Sequence, residues 1–305
     1  MTGGVVDDPR SRVLVDVAHV AADLRLGRAP DPAVGPPLLL DVRWALGMTD
    51  GREQYLAGHL PGAVYVDLDT ELAGAASPEA GRHPLPTASS FQQAARRWGV
   101  REDSRVVVYD TVGGTSAARA WWLLRYFGVP EVRILDGGLP AWERAGLPLE
   151  VGDVVHAPGD VVVRPGHLPT LDADEAAELA SGEGLLLDAR AAERYRGEVE
   201  PVDPRAGHVP GALSAPTTGN LRDDGTFLDG TGLRARFSGL GVPDDGGSQR
   251  GSGAPVGVYC GSGVTASHEV AALAAIGVEA ALYPGSWSQW SNDASSPVAT
   301  GASPA

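Results

Sequence analysis

Short apolar runs closed by an acidic residue recur along the chain. Leu38-Leu39-Leu40 ends on Asp41, and Leu185-Leu186-Leu187 ends on Asp188. Such runs have the form of strands buried on both faces of a parallel sheet. Residues 106–109 and 256–259 are further strand segments, rich in β-branched side chains. Between them, residues 89–98 place Phe91, Ala94, Ala95 and Trp98 on one helical face. A second helix is expected from about residue 266 to 276, stopped by Gly277. Strands alternating with helices of these lengths predict an α/β fold: a mainly parallel sheet flanked by helices on both faces.

The pattern occurs twice. Asp41-Val42-Arg43 matches Asp188-Ala189-Arg190, 147 residues on. Gly58-His59-Leu60-Pro61-Gly62-Ala63 matches Gly207-His208-Val209-Pro210-Gly211-Ala212 at 149, and Val106-Val107-Val108-Tyr109-Asp110 matches Val256-Gly257-Val258-Tyr259-Cys260 at 150. A drift of three residues over that length marks a duplicated domain and is far too long a period for a solenoid. The expected organisation is a first domain over 1–148, an extended linker over 149–168 and a second domain over 169–305. Residues 243–255, rich in Gly and Ser, read as a surface insertion in the second copy. The last dozen residues read as a mobile tail or a strap.

Composition removes several chemistries. All 24 basic residues are arginine, so Schiff-base chemistry and lysine-dependent phosphate loops are excluded. A net charge of −15 offers no basic footprint for nucleic acid or an anionic membrane. The longest uncharged apolar stretch, residues 270–278, is too short to span a bilayer, and residues 1–10 lack the apolar core of a signal peptide. One cysteine, Cys260, allows no internal disulfide, zinc finger or iron–sulfur cluster, and the cytoplasm is the expected compartment. Neither metal nor cofactor is expected.

That cysteine carries the chemical signal. It stands at a strand end, followed by Gly261-Ser262-Gly263-Val264-Thr265 and a helix. In open α/β sheets ligands bind at the carboxyl ends of strands, where loops lead into helix N-termini. Gly261 and Gly263 are expected at positive φ, turning successive N–H groups inward as a nest for an anionic sulfur. Thr265 is expected as the helix N-cap. The first copy has Asp110 at the matching place, which cannot act as a sulfur nucleophile. A cysteine phosphatase would place Arg right after such a loop. Here that place is Ala266, and residues 261–267 contain no cation.

With these residues in view, the chain resembles a two-domain rhodanese-type sulfurtransferase, its loop Cys-Gly-Ser-Gly-Val-Thr-Ala being similar to that of 3-mercaptopyruvate sulfurtransferases. Residues 55–63 resemble the family's N-terminal signature and residues 283–290 its C-terminal one, with Gln289 where Glu is usual. The resemblance implies a cofactor-independent enzyme with a silent first domain and an active second one. It implies that Arg194 binds the donor, and that Asp69 and His83 reach across the domain interface toward Ser262. Arg190 is expected beside Asp188. The resemblance also implies a second substrate arginine about nine residues after the first; that count reaches Asp203, leaving Arg205 as the nearest candidate. His59 and His208, present in both copies, read as structural.

The expected reaction is sulfur transfer from 3-mercaptopyruvate through a Cys260 persulfide. With no second cysteine, the acceptor must be external: a small thiol, cyanide or a thioredoxin-like protein. Thiosulfate as donor, and a non-turnover persulfide carrier or redox sensor, are the rival readings.

Overall fold

A computed structural model describes residues 8–24, 35–243 and 255–304. The first domain holds a parallel sheet of β1 (Leu14–Val15), β2 (Leu38–Asp41), β3 (Val64–Tyr65), β4 (Arg105–Tyr109) and β5 (Glu131–Leu135), in the order β1-β5-β4-β2-β3. The second holds β6 (Leu185–Asp188), β7 (Leu213–Ser214), β8 (Val256–Tyr259) and β9 (Ala280–Leu282), again all parallel, in the order β7-β6-β8-β9. The registers coincide. Asp41 lies opposite Tyr109 in one sheet, and Asp188 lies opposite Tyr259 in the other. Among the described residues, the counterpart of the edge strand β1 is a single bridge, Thr170 to Leu282.

The helix expected over 89–98 spans Ala88–Trp98, capped by Thr87 and closed by Gly99 in the left-handed region at φ 95°. It buries the four predicted side chains. Each central strand leads through a loop into a helix: Ala117–Tyr126 after β4, and Val264–Ala274 after β8. These two helices pack on each other, and one apolar cluster runs through both domains, from Val108 and Leu123 to Val258 and Leu273. The Cys260 loop is thereby pressed against the first domain, where residues from either copy can face it.

The repeated acidic strand ends are structural. Arg43 holds Asp41, Arg190 holds Asp188, and the Tyr109 hydroxyl donates to Asp41 at 2.7 Å. His59 and His208 each stack on a tyrosine, Tyr55 and Tyr195, and hydrogen-bond that tyrosine's carbonyl. Residues 151–169 form no regular element and lie along the first domain, with Gly159 and Val161 donating to Arg96 and Val100 carbonyls. Most of the insertion expected over 243–255 lies outside the described residues. The C-terminal segment is a strap: Ala299 pairs with His208 in both directions, and Gly301 N–H donates to Arg196.

Candidate active site

Cys260 follows β8 and is buried, 2% exposed. Its N–H donates to the Ser286 hydroxyl at 3.2 Å, while Trp287 and Ser288 N–H groups bind the carbonyls of Cys260 and Gly261. Ser286 itself sits at φ 53°, the single non-glycine residue at positive φ among the described residues. A strained backbone position of this kind persists where its surroundings fix it, commonly at functional sites. The Cys260 Sγ accepts two backbone hydrogen bonds, from Ser262 at 3.4 Å and Gly263 at 3.1 Å. The sulfur so placed faces fixed N–H dipoles and the start of a helix.

Two expectations about the loop change. Gly263 is left-handed at φ 80° and is itself the N-cap, so the helix starts at Val264 and Thr265 lies inside it. A Cβ at Gly263 would stand 2.8 Å from the Pro284 carbonyl oxygen, so glycine is required there twice over. Gly261 is not at positive φ. Its missing side chain leaves room instead, because a Cβ there would come within 3.0 Å of Arg82 Nη2 and 3.3 Å of Arg194 Nη1. Val264 is buried in the same core cluster as Cys260.

The matching loop of the first domain is built alike, with a carboxyl group where the sulfur stands in the second. The Asp110 carboxylate accepts from the N–H groups of Val112, Gly114, Ser116 and Ala117 at 2.8 to 3.0 Å. The place that Cys260 Sγ takes in the second copy is filled by a carboxyl group in the first.

Ser262, His83 and Asp69 form a chain across the domain boundary. His83 Nδ1 lies 2.8 Å from Ser262 Oγ, and His83 Nε2 lies 3.1 Å from Asp69 Oδ1. The Trp44 indole donates to the same Asp69 oxygen at 3.0 Å and packs edge-on against the imidazole. Burial pushes His83 below its ordinary 6.5; the hydrogen bond to Asp69 opposes that, and the Arg119 charge reinforces it. Arg119, fully buried, binds the His83 carbonyl at 2.8 Å, the Leu72 carbonyl at 3.2 Å and, more weakly, the Gly263 carbonyl at 3.4 Å.

The arginines divide. Arg194 is 16% exposed at its side chain, with Nε and Nη2 on Glu200 and Nη2 also 3.2 Å from Asp203. Arg190 is buried between Asp188, Glu200 and the Gly207 carbonyl, with its guanidinium over the Trp287 ring, so it acts on the frame and not on a ligand. Arg205 does not fill the place of a second substrate arginine. All three of its nitrogens donate to carbonyls of Trp290, Ser291, Asp293 and Ser296, clamping the segment that follows the helix Ser286–Trp290. The guanidinium that faces Arg194 is Arg82's, joined to it through Asp203. Sequence reasoning missed Arg82 and Arg119. The one local signal was that Arg82 adjoins His83.

Residues 26–145 and 172–293 each match the model of the rhodanese-like domain. A Mycobacterium tuberculosis protein provisionally named thiosulfate sulfurtransferase SseB is 48% identical over 96% of this chain and 98% of its own length. A Pseudomonas aeruginosa protein, provisionally named 3-mercaptopyruvate sulfurtransferase, is 46% identical over 87% of this chain and 92% of its own. The crystal structure of SseA from Escherichia coli, described as a 3-mercaptopyruvate sulfotransferase, superposes with a TM-score of 0.76 at 36% identity, covering 90% of this chain and 98% of that one. With both halves matched and relatives similar over nearly their whole length, the chain belongs to the rhodanese family as a tandem of two rhodanese-like domains.

Proposed function

We propose that Cys260 carries sulfur in a two-step transfer whose donor is 3-mercaptopyruvate. That the protein is a sulfurtransferase follows from its family and its relatives. The choice of donor and the residue roles rest on the site. In the first step the Cys260 thiolate attacks the donor's sulfur. A sulfur–sulfur bond forms as the carbon–sulfur bond breaks, and the bonding pair passes into the carbonyl to leave pyruvate enolate. One proton must then reach the enolate for pyruvate to depart. In the second step an external thiol, cyanide or a thioredoxin-like protein attacks the outer sulfur and Cys260 leaves as thiolate.

The observation that carries this reading is the hydrogen-bonded chain Ser262–His83–Asp69 at the loop. Thiosulfate releases sulfite, which needs no proton, so a built proton path favours the enolate-forming donor. Arg194 orients the donor carboxylate through the guanidinium edge that Glu200 leaves open. Among the described residues no helix is long and apolar enough to cross a membrane, which fits a cytoplasmic enzyme acting on a small molecule.

The test is intact-mass measurement after donor treatment, with steady-state rates on both donors. Wild type should gain one sulfur and prefer mercaptopyruvate; Cys260→Ser should gain none and turn over neither donor. A Cys260→Ser protein that still makes thiocyanate from cyanide would end the mechanism. A wild type that prefers thiosulfate would transfer the donor assignment to the rival.

A further inference from the structure

We infer that Ser288 and Gln289 are positioning residues for His83: they hold the first domain's turn 77–82 on the short helix that also holds the Cys260 loop. The inference rests on the proposed proton path Ser262–His83–Asp69.

The helix Ser286–Trp290 works in two directions. Toward its own domain it holds the nucleophile. Its Trp287 and Ser288 N–H groups donate to the carbonyls of Cys260 and Gly261, both at 2.9 Å, and its Ser286 hydroxyl accepts from the Cys260 N–H. Toward the first domain it holds the turn. The buried Ser288 hydroxyl accepts the Arg82 N–H at 3.0 Å and donates to the Gly285 carbonyl at 3.0 Å. The Gln289 amide crosses at the tip of the turn, its Nε2 donating to the Glu79 carbonyl at 2.6 Å. A carbonyl only accepts, and Gln289 Oε1 takes the Tyr283 hydroxyl at 2.8 Å, so the amide has one workable orientation. An ionised Glu at 289, the residue usual in the family, would have no hydrogen for the Glu79 carbonyl, so this tie is a property of this chain.

The turn is closed on itself and on the helix. Ser77 and Gly81 exchange backbone hydrogen bonds at 3.2 and 2.8 Å. Gly81 sits at φ 84°, and a Cβ there would stand 2.7 Å from the Gly285 carbonyl oxygen and 2.8 Å from Ser288 Oγ. His83 follows directly on the pinned Arg82 N–H, and its Nδ1 lies 2.8 Å from Ser262 Oγ. The two ends of that contact belong to different domains, yet both are tied to the same five-residue helix. The Arg82 guanidinium is held separately, by Asp203. The apolar cluster shared by the domains keeps the interface closed, so loss of the two polar ties shifts the turn locally. Such a shift matters, because proton transfer needs hydrogen-bond reach and an error of about 1 Å can cost about a hundredfold.

The experiment measures kcat and KM on mercaptopyruvate and on thiosulfate for wild type, Ser288→Ala, Gln289→Met, the double variant Ser288→Ala/Gln289→Met and His83→Asn, with a melting curve for each. Gln289→Met keeps the length of the side chain and removes both amide hydrogen bonds. Each single variant should lower the mercaptopyruvate kcat severalfold and the double variant about tenfold or more. KM, and kcat on thiosulfate, should stay within about twofold. A double variant that loses less than about threefold in mercaptopyruvate kcat overturns the inference. So does a loss shared equally by both donors, or a change in KM alone, because the ties would then serve the loop or donor binding. Gln289 is only half-buried, so Gln289→Met decides the matter if the Ser288 variants do not fold. The His83→Asn protein separates the two readings. If it keeps the wild-type donor ratio, the proton path itself is refuted and the inference falls with it. If it changes the ratio and the double variant does not, only the positioning is refuted.

Discussion

The proton that pyruvate needs gives the site a pH signature. With mercaptopyruvate, one proton must be delivered to the departing enolate, balanced overall by the donor's own thiol hydrogen, and the chain Asp69–His83–Ser262 reaches the loop. With thiosulfate none is needed. Burial lowers His83 from 6.5, so above pH 6.5 its protonated fraction falls by close to tenfold per pH unit. The ratio of kcat/KM for mercaptopyruvate to kcat/KM for thiosulfate should therefore fall as pH rises from 5.5 to about 7.5, at up to that slope. Ionisation of the shared nucleophile cancels in the ratio. His83→Asn should flatten the ratio and cut the mercaptopyruvate rate about a hundredfold or more, the low end of general acid–base contributions, while leaving thiosulfate within about threefold. Asp69 is 59% exposed at its side chain, so Asp69→Asn should cost only severalfold, about 1 kcal/mol or less after solvent screening. The assay is initial rates on both donors across a constant-ionic-strength buffer series. A ratio independent of pH, or a His83→Asn protein that loses both donors equally, would show that the chain only supports the loop.

Two further outcomes are expected. Arg194→Ala should lower kcat/KM for mercaptopyruvate about ten- to hundredfold, or about 1.5–3 kcal/mol. Arg205→Ala should show a lower melting temperature and a donor KM close to wild type, because it orphans four carbonyls far from donor chemistry. His268, buried at the domain interface between Thr217 and the Gly113 carbonyl, is pushed down to about 4 by burial. Its folded value lies below its unfolded one, so the unfolded chain binds the extra proton. Its share of stability is complete above about pH 6.5 and is lost as pH falls toward 4. Urea unfolding at pH 7 and pH 4.5 should show wild type losing up to about 3 kcal/mol more than His268→Asn on acidification. Parallel losses in both proteins would remove His268 from the account.

What could be read from the chain was what the chain makes locally. The strand ends, the Cys260 loop and the following helix lie within twenty consecutive residues, where apolar runs, Gly and caps act over a few positions. The duplication showed because its spacing barely drifts. The two-residue strand β1 left no such trace, since two apolar residues become a strand only when β5 lies beside them. Arg82 was invisible for the same reason, its partner Asp203 being 121 residues away. Thr265 was a reasonable cap by type, yet the left-handed turn at Gly263 starts the helix one residue after it. Gly261 was expected at positive φ and is not there. It serves the guanidinium groups in front of it, and nothing in its neighbours' sequence names them.

The arrangement also explains why a domain without its own nucleophile is built into the site of the other. Both loops turn N–H groups inward, but Asp110 fills the first with its own carboxyl group, bound by four of them. The second nest holds a sulfur whose charge and length change in each cycle, and it draws only two such bonds. The two central helices cross-reach at pseudo-equivalent points. His268 meets the Gly113 carbonyl of the first loop, and Arg119 meets the Gly263 carbonyl of the second. The first loop, already satisfied, receives a ring kept neutral. The second receives a buried guanidinium bonded to carbonyls, lowered by burial only to about 10 and therefore charged at pH 7, with the Cys260 sulfur pulling it back up. A buried cation costs several kcal/mol unless an anion compensates it. Arg119 is met instead by the Leu72 and His83 carbonyls of its own domain and the Gly263 carbonyl of the other, so one guanidinium ties the first domain to the loop that carries Cys260.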